Sequence, residues 1–137
     1  REFTTIMFDI DFFKQVNDNY GHAGGDAVLI SFAQLLQKEI SSPNIVGRVG
    51  GEEFLAILYL SPDEAKEFCV KLIYKINHNF VDFEGTKIKI SSSGGVAFST
   101  ETKTSADLIN KADERLYEAK KNGRNRFTLP NSELLGE

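Results

Sequence analysis

The sequence predicts an α/β (α+β) sandwich in which helices flank a central, mostly antiparallel sheet. Three observations point there. The β-prone runs Ile45-Val46-Gly47-Arg48-Val49 and Leu55-Ala56-Ile57-Leu58-Tyr59-Leu60 flank Gly50-Gly51, the pattern of a hairpin whose tip needs positive φ. Stretches with apolar residues at helical spacing alternate with short apolar runs in the order β-α-α-β-β-α-β-β-α-β. Hairpins in place of crossover units, with no Gly-rich first turn, exclude a dinucleotide-binding Rossmann fold.

Taken in order, Phe3 to Ile10 is an apolar strand and Phe12 to Tyr20 a short helix ended by Asn19-Tyr20-Gly21. A second helix starts at Ala23-Gly24-Gly25-Asp26 and runs to about Ile40, with Val28, Phe32, Leu35, Leu36 and Ile40 as its inward stripe. Ser41-Ser42-Pro43-Asn44 leads into the hairpin. Ser61-Pro62-Asp63-Glu64 is a strong helix start, with Ser at the cap, Pro at the first helical position and Glu at the third. The stripe Ala65, Phe68, Cys69, Leu72, Ile73, Ile76 and Phe80 then marks a core-covering helix. Phe83 to Lys87 reads as a turn or short hairpin, followed by Ile88-Lys89-Ile90 and the strand ending in Val96-Ala97-Phe98. Ser92 and Gly94 leave one face of that strand thinly filled, so a larger neighbour or a soft spot is expected. Thr104 or Ser105 caps a last helix with Leu108, Ile109, Ala112, Leu116 and Ala119 inward, and Asn122-Gly123 stops it. Asn125 to Leu129 is a final strand. The expected domain is therefore 1–129, with 130–137 as a loose tail.

The chain has 137 residues and a formal net charge of −4, the size of one domain with a real core. Acidity argues against a nucleic-acid partner, so any polyphosphate must be held by local cations or metal. No apolar run approaches the roughly 20 residues of a membrane span, and no direct membrane contact is expected. The single cysteine, Cys69, lies on the apolar helix stripe and reads as core.

Chemistry is concentrated in two acidic elements. Asp9 and Asp11 end an otherwise apolar strand, where unpaired carboxylates are costly. Glu52 and Glu53 open the return strand of the hairpin. Alone, Gly-Gly-Glu-Glu fits a solvated hairpin tip as well as a functional one. Together, carboxylates from two strands make an oxygen-rich site suited to Mg²⁺ or Mn²⁺, an arrangement used in phosphoryl transfer.

Gly50-Gly51-Glu52-Glu53-Phe54 resembles the signature of the GGDEF domain, the diguanylate cyclase family, written here as GGEEF. The resemblance extends to Asp9-Ile10-Asp11-Phe12-Phe13-Lys14, Asn17-Asp18, Gly21-His22, Gly25-Asp26, Ala112-Asp113 through Lys120, and Gly123-Arg124-Asn125, in the family's order. It implies a ferredoxin-like palm of nucleotidyl cyclases and polymerases built on a five-stranded sheet. The helix and Asp-x-Leu-Thr motif that usually precede the first strand are not in this sequence.

The resemblance further implies condensation of two GTP to cyclic di-GMP and pyrophosphate across a pair of domains. It assigns two divalent ions per site, Mg²⁺ or Mn²⁺, to Asp9, the Ile10 carbonyl, Glu52 and Glu53, with Glu52 or bound hydroxide as base. Asp11 is expected to support the site. Nucleotide contacts fall to Phe12, Phe13, Lys14, Asn17, His22, Asp26, Gly50, Gly51, Lys120 and Arg124. Of these, Asn17 and Asp26 would read guanine, and Lys14, Lys120 and Arg124 would meet phosphate. His22 taken by itself reads as a turn or packing residue, since no His/Cys cluster surrounds it. Lys120 and Arg124 also suit the negative end of the last helix. The expected setting is cytoplasmic, within a larger or membrane-anchored protein carrying an N-terminal sensor or receiver domain. The alternative is a non-catalytic GTP-binding or dimerisation module of a signalling protein. The family's Arg-x-x-Asp product-inhibition motif is replaced by Ser41 and Asn44, so no product-inhibitory site is expected.

Overall fold

The computed structural model describes residues 1–137. Its centre is β1 (Thr4–Ile10), whose seven residues are all buried. β1 pairs antiparallel with β3 (Glu53–Leu58) on one side and with β6 (Ser92–Phe98) on the other. β2 (Ile45–Gly50) forms the hairpin with β3. Beyond β6 lie β7 (Arg126–Thr128), in parallel, and β8 (Leu134–Gly136), antiparallel to β7. The order is β2-β3-β1-β6-β7-β8, with β4 (Val81–Phe83) and β5 (Thr86–Ile88) as a separate hairpin.

The sheet therefore has six strands, one more than expected, and the extra strand is made by residues 134–136 of the expected loose tail. Three contacts hold it. Phe127 and Leu135 are opposed in the β7–β8 ladder, the Leu129 amide donates to Glu133 O at 2.7 Å, and Lys66 pairs with Glu133 at 2.8 Å. Leu135 also packs against the main core.

Side chains alternate across β1 because successive residues of a strand face opposite ways. Ile6, Phe8 and Ile10 join Val28, Phe32 and Leu36 of α1 (Phe13–Glu39) and Cys69, Leu72 and Ile76 of α2 (Pro62–Asn77) in one core cluster. Met7 joins Ala97 and Leu108, Ala112 and Leu116 of α3 (Ser105–Lys121) in a smaller one on the other face. The two helices expected over 12–40 form one run broken at Gly21, whose φ of 74° and ψ of 175° are not helical. Ser61 caps α2 by accepting from the Glu64 amide at 3.3 Å while its own amide donates to Glu64 Oε1 at 2.9 Å, as the sequence predicts, and Thr104 caps α3 by accepting from the Asp107 amide at 3.1 Å. At the other end of α3, Gly123 takes a φ of 118° and the Arg124 amide returns to Ala119 O at 2.9 Å, a Schellman stop.

Two inward assignments change. α2 ends at Asn77, so Phe80 falls in the following loop and is 49% exposed; Ile109 sits at the edge of α3's buried face and is 36% exposed. The thin face at Ser92 and Gly94 is filled from a distance: the Phe127 ring lies where a Gly94 Cβ would be, and stacks edge-on against Phe8 with centroids 5.4 Å apart. No helix is long and apolar enough to cross a membrane.

Candidate active site

The site forms where β1 runs out beside the β2–β3 hairpin. Antiparallel register sets Phe8 opposite Phe54 and Asp9 opposite Glu53, so the two carboxyl-bearing residues are direct cross-strand neighbours. The Ile10 amide reaches Glu52 O at 3.4 Å, drawing the glutamate pair towards the end of β1. At the tip, the ladder slips between Arg48 and Gly50, Gly51 takes a φ of 48°, and Arg48 Nε donates to Gly51 O at 2.6 Å. That bond fixes the tip while leaving Gly50 and Gly51 with open space where a side chain would stand.

Asp9 is 5% exposed, and Lys120 at the end of α3 donates to its Oδ2. Its Oδ1 is buried and has no hydrogen-bond partner. Desolvation by burial holds the Asp9 carboxyl above the usual aspartate range; Lys120 opposes this, and the charges of Glu52 and Glu53 reinforce it. No group of three or more metal-capable side chains is preassembled. A buried carboxylate oxygen without a donor, beside two more carboxylates, nevertheless fits a hard divalent cation, because it lacks only a positive partner.

A cleft of about 260 Å³ gathers Asp9, Ile10 and Glu52 with Phe12, Phe13 and Lys14 on one side and Lys120 and Arg124 on another. Glu53 faces Asp9 across the ladder but is not part of the cleft wall. The cleft's three cations, Lys14, Lys120 and Arg124, come from two distant stretches of chain, and α1 and the end of α3 bring them together. Phe12, in the left-handed region at φ 55°, begins α1, and the Arg124 guanidinium lies 4.8 Å from its ring centroid. Asn17, His22 and Asp26 lie farther along α1 and outside this cleft. Asn17 packs so close over Gly25, the residue before Asp26, that a Cβ there would meet its Oδ1 at 1.9 Å, so the two halves of α1 touch across the break at Gly21. His22 is exposed.

Asp11 does not join Asp9 in the cleft. Its carboxylate accepts from Ser91 Oγ and Ser93 Oγ, both at 2.6 Å, and from the Asn125 amide at 2.9 Å, with Arg124 Nη1 at 3.9 Å. Arg124 and Asn125 both have positive φ, 65° and 50°. The buried carboxylate thus ties the strained turn after α3 to the start of β6. Ser91 and Ser93 carry no motif of their own, and sequence reasoning missed them. The signal available was a run of three serines entering a buried strand, where hydroxyls need partners.

In the loop before β2, Asn44 Oδ1 accepts from the Tyr59 amide at 2.8 Å, and the Asn44 amide donates to Ser41 O at 3.0 Å. The side-chain acceptor that stands at the inhibitory motif's aspartate position is thus spent on the end of the hairpin. Cys69 is fully buried, and desolvation pushes its thiol up to about 12.

Comparison with known proteins agrees with this architecture. The family model described as diguanylate cyclase, GGDEF domain, matches residues 1–126. Diguanylate cyclase A of Treponema denticola is 37% identical over 131 residues, covering 94% of this chain and 35% of that protein. The chain therefore spans about a third of that relative's length. Among solved structures, diguanylate cyclase SiaD of Pseudomonas aeruginosa, in complex with its activator SiaC, superposes with a TM-score of 0.88 at 32% identity, over 93% of this chain and 50% of that one. The GGDEF domain of DgcB from Caulobacter crescentus, in complex with c-di-GMP, gives 0.88 at 26% identity over 93% and 77%. With the signature at the hairpin tip, the paired carboxylates behind it and a family match over nearly its whole length, this chain belongs to the GGDEF family of diguanylate cyclase domains.

Proposed function

We propose that the domain condenses two GTP molecules to cyclic di-GMP, releasing two pyrophosphates. Each domain holds one GTP, and two domains face each other so that each 3′-hydroxyl attacks the α-phosphorus of the other nucleotide. The observation that carries this reading is the partnerless, buried Oδ1 of Asp9 at the foot of the glycine tip, in register with Glu53. Two divalent ions, Mg²⁺ or Mn²⁺, held by Asp9, the Ile10 carbonyl, Glu52 and Glu53, would neutralise the triphosphate and sharpen the attacking hydroxyl.

The chain's own residues do the rest. The open space at Gly50 and Gly51 admits the phosphates close to backbone. Lys120 and Arg124 supply positive charge from the α3 side, and Lys14 supplies it from α1. Arg124 is aimed by the Asp11 clamp on its turn and by its contact with Phe12. Asn17 and Asp26 offer a donor–acceptor amide and a carboxylate to the guanine edge, the carboxylate suiting the N1–H and 2-amino donor pair. Glu52, in the cleft wall, accepts the proton of the 3′-hydroxyl. The relatives are much longer than this chain, and in the whole protein we assign the pairing of two domains to a further, N-terminal sensor or receiver region. A GTP-consuming reaction suits a cytoplasmic setting, which we assign to the domain with it.

A second reading, a GTP-binding module without turnover, draws on the Lys120 contact, which already gives Asp9 one positive partner without a metal. Incubating the domain, fused to a dimerising partner, with GTP and Mg²⁺ and separating the products by chromatography distinguishes the two. Cyclic dinucleotide and pyrophosphate support the cyclase; bound but unchanged GTP supports the module.

A further inference from the structure

A larger cavity than the catalytic cleft, about 540 Å³, lies on the other side of the first part of α1. Its size falls within the roughly 300–1,000 Å³ typical of small-molecule sites. Phe12 and Gln15 separate the two and line both. Its buried wall contains Asn77, the last residue of α2, which is 3% exposed, and neither Nδ2 nor Oδ1 of its amide has a hydrogen-bond partner. The other buried side-chain atoms without a partner, Asp9 Oδ1 and the Thr128 hydroxyl, lie outside this cavity's wall. Burying an amide in that state is costly, so the arrangement demands a partner carrying complementary acceptor and donor groups side by side.

The charge at the rim is as one-sided as the floor is unsatisfied. Lys87 and Lys89 line the cavity, both are exposed, and neither is ion-paired. The one carboxylate in the wall, Asp11, is already consumed by Ser91, Ser93 and the Asn125 amide, with Arg124 close by. The cavity therefore joins two free cations to an amide edge in search of its complement, with Asn19 and Tyr20 as further polar and aromatic wall.

From this juxtaposition we infer that the cavity between α1, the end of α2 and the β5–β6 segment is a second small-molecule site, built for an anion that carries an amide-like donor–acceptor edge, the chemistry of a purine nucleotide. Asn77 pairs with the base edge and Lys87 and Lys89 with the phosphate. An occupant would brace residues 13–20, the short half of α1 ahead of the break at Gly21, which carries Lys14 and Asn17. Occupancy of this cavity is thereby coupled to the position of two residues on the catalytic side, without a shared ligand.

The test is site-resolved and needs no turnover, so it stands whether or not the domain proves to be a cyclase. ¹⁵N-labelled domain is titrated with guanosine monophosphate, adenosine monophosphate and inorganic phosphate without divalent metal, following the Asn77 side-chain amide, the Ile88 and Ser91 backbone and the Lys120 region. The expected result is a saturating shift of the Asn77 amide and its neighbours with at least one mononucleotide. It weakens at least tenfold in Lys87→Glu/Lys89→Glu, a surface variant with the core untouched, and is lost in Asn77→Leu. Three outcomes overturn the inference. They are no movement at Asn77 up to millimolar probe, movement confined to the lysines with phosphate alone, and movement only around Lys120 and Arg124.

Discussion

Replacing Gly95 with alanine tests how α3, and with it the cationic side of the cleft, is seated on the sheet. A Cβ at Gly95 would meet Ala112 O at 1.9 Å, Leu116 N at 2.4 Å and the Arg115 carbonyl carbon at 2.9 Å, all of them backbone atoms of α3. None can rotate aside, and the shortfall from ordinary contact at 3.4 Å is about 1.5 Å. The helix must lift, loosening Met7 from Ala112 and Leu116 and straining the bond from Arg115 Nη1 to Val96 O at 2.9 Å. Overpacking of this kind costs about 3 kcal/mol, the upper end of the usual range, and the strained hydrogen bond adds about 1 kcal/mol. The stiffer unfolded chain returns about 0.5–1 kcal/mol, leaving a net loss near ~3 kcal/mol.

Gly94 is the internal control. Its added Cβ would meet only the Phe127 ring, at 2.6, 2.8 and 3.0 Å. A ring can tilt, so Gly94→Ala should cost about 1–2 kcal/mol. Urea unfolding followed by far-UV circular dichroism gives both values. Adding Phe127→Leu should show favourable coupling with Gly94→Ala and none with Gly95→Ala. A Gly95→Ala domain within about 0.5 kcal/mol of the parent, or a reversed ranking, would refute the idea that helix backbone rests on the Gly95 face.

Three further outcomes are expected. Burial raises the Glu101 carboxyl, but bonds from Arg115 and the Phe98 amide, with the charges of Arg115 and Lys111, outweigh it and hold the group below the usual glutamate range. A depressed carboxyl stabilises the fold above the unfolded value of 4.5 and loses that contribution as pH falls through the lower folded value. Glu101→Gln should therefore cost about 1–2 kcal/mol at pH 7 and flatten the acid limb of a stability–pH curve. Asp26→Asn leaves one guanine donor unpaired, so discrimination between GTP and ATP in competitive binding should shrink by about 1–3 kcal/mol. Cys69, fully buried with its thiol pushed up to about 12, should resist a disulfide reagent in the native domain and react fully in denaturant.

How much of this was legible in the sequence depends on the range of the interaction. Local devices read correctly: the Ser61–Glu64 capping box, a cap at Thr104 or Ser105 (which falls on Thr104), the Gly123 stop and the break at Gly21 all follow from residues within a turn of one another. The hairpin tip and the meeting of carboxylates from two strands were also legible, from the glycine pair between β-prone runs and the resemblance, whereas the β1–β3 register that opposes Asp9 to Glu53 was not. What escaped was non-local. Lys120 reaches Asp9 across 111 positions, and Phe127 fills the space beside Gly94 from a different strand. The strand at 134–136 has only three residues and no alternation to betray it. It exists because Phe127, Leu129 and Lys66 supply the partners. Asp11 reads as a supporting carboxylate, but its three donors, from Ser91, Ser93 and Asn125, could only be seen once β6 and the turn after α3 lay beside it.

The central claim is that Asp9 and Glu53, opposed on neighbouring strands, hold the metal for GTP condensation. It is tested most directly by assaying the dimerised domain with GTP and Mg²⁺ beside its Glu53→Gln variant, with circular dichroism confirming that both are folded. Because the hairpin rests on its glycines and the Arg48–Gly51 bond, the variant should keep its fold. The parent should release cyclic di-GMP and two pyrophosphates per product, and the variant should release at most a hundredth as much. Equal yields from both, or intact GTP recovered from a folded, dimeric parent, would contradict it.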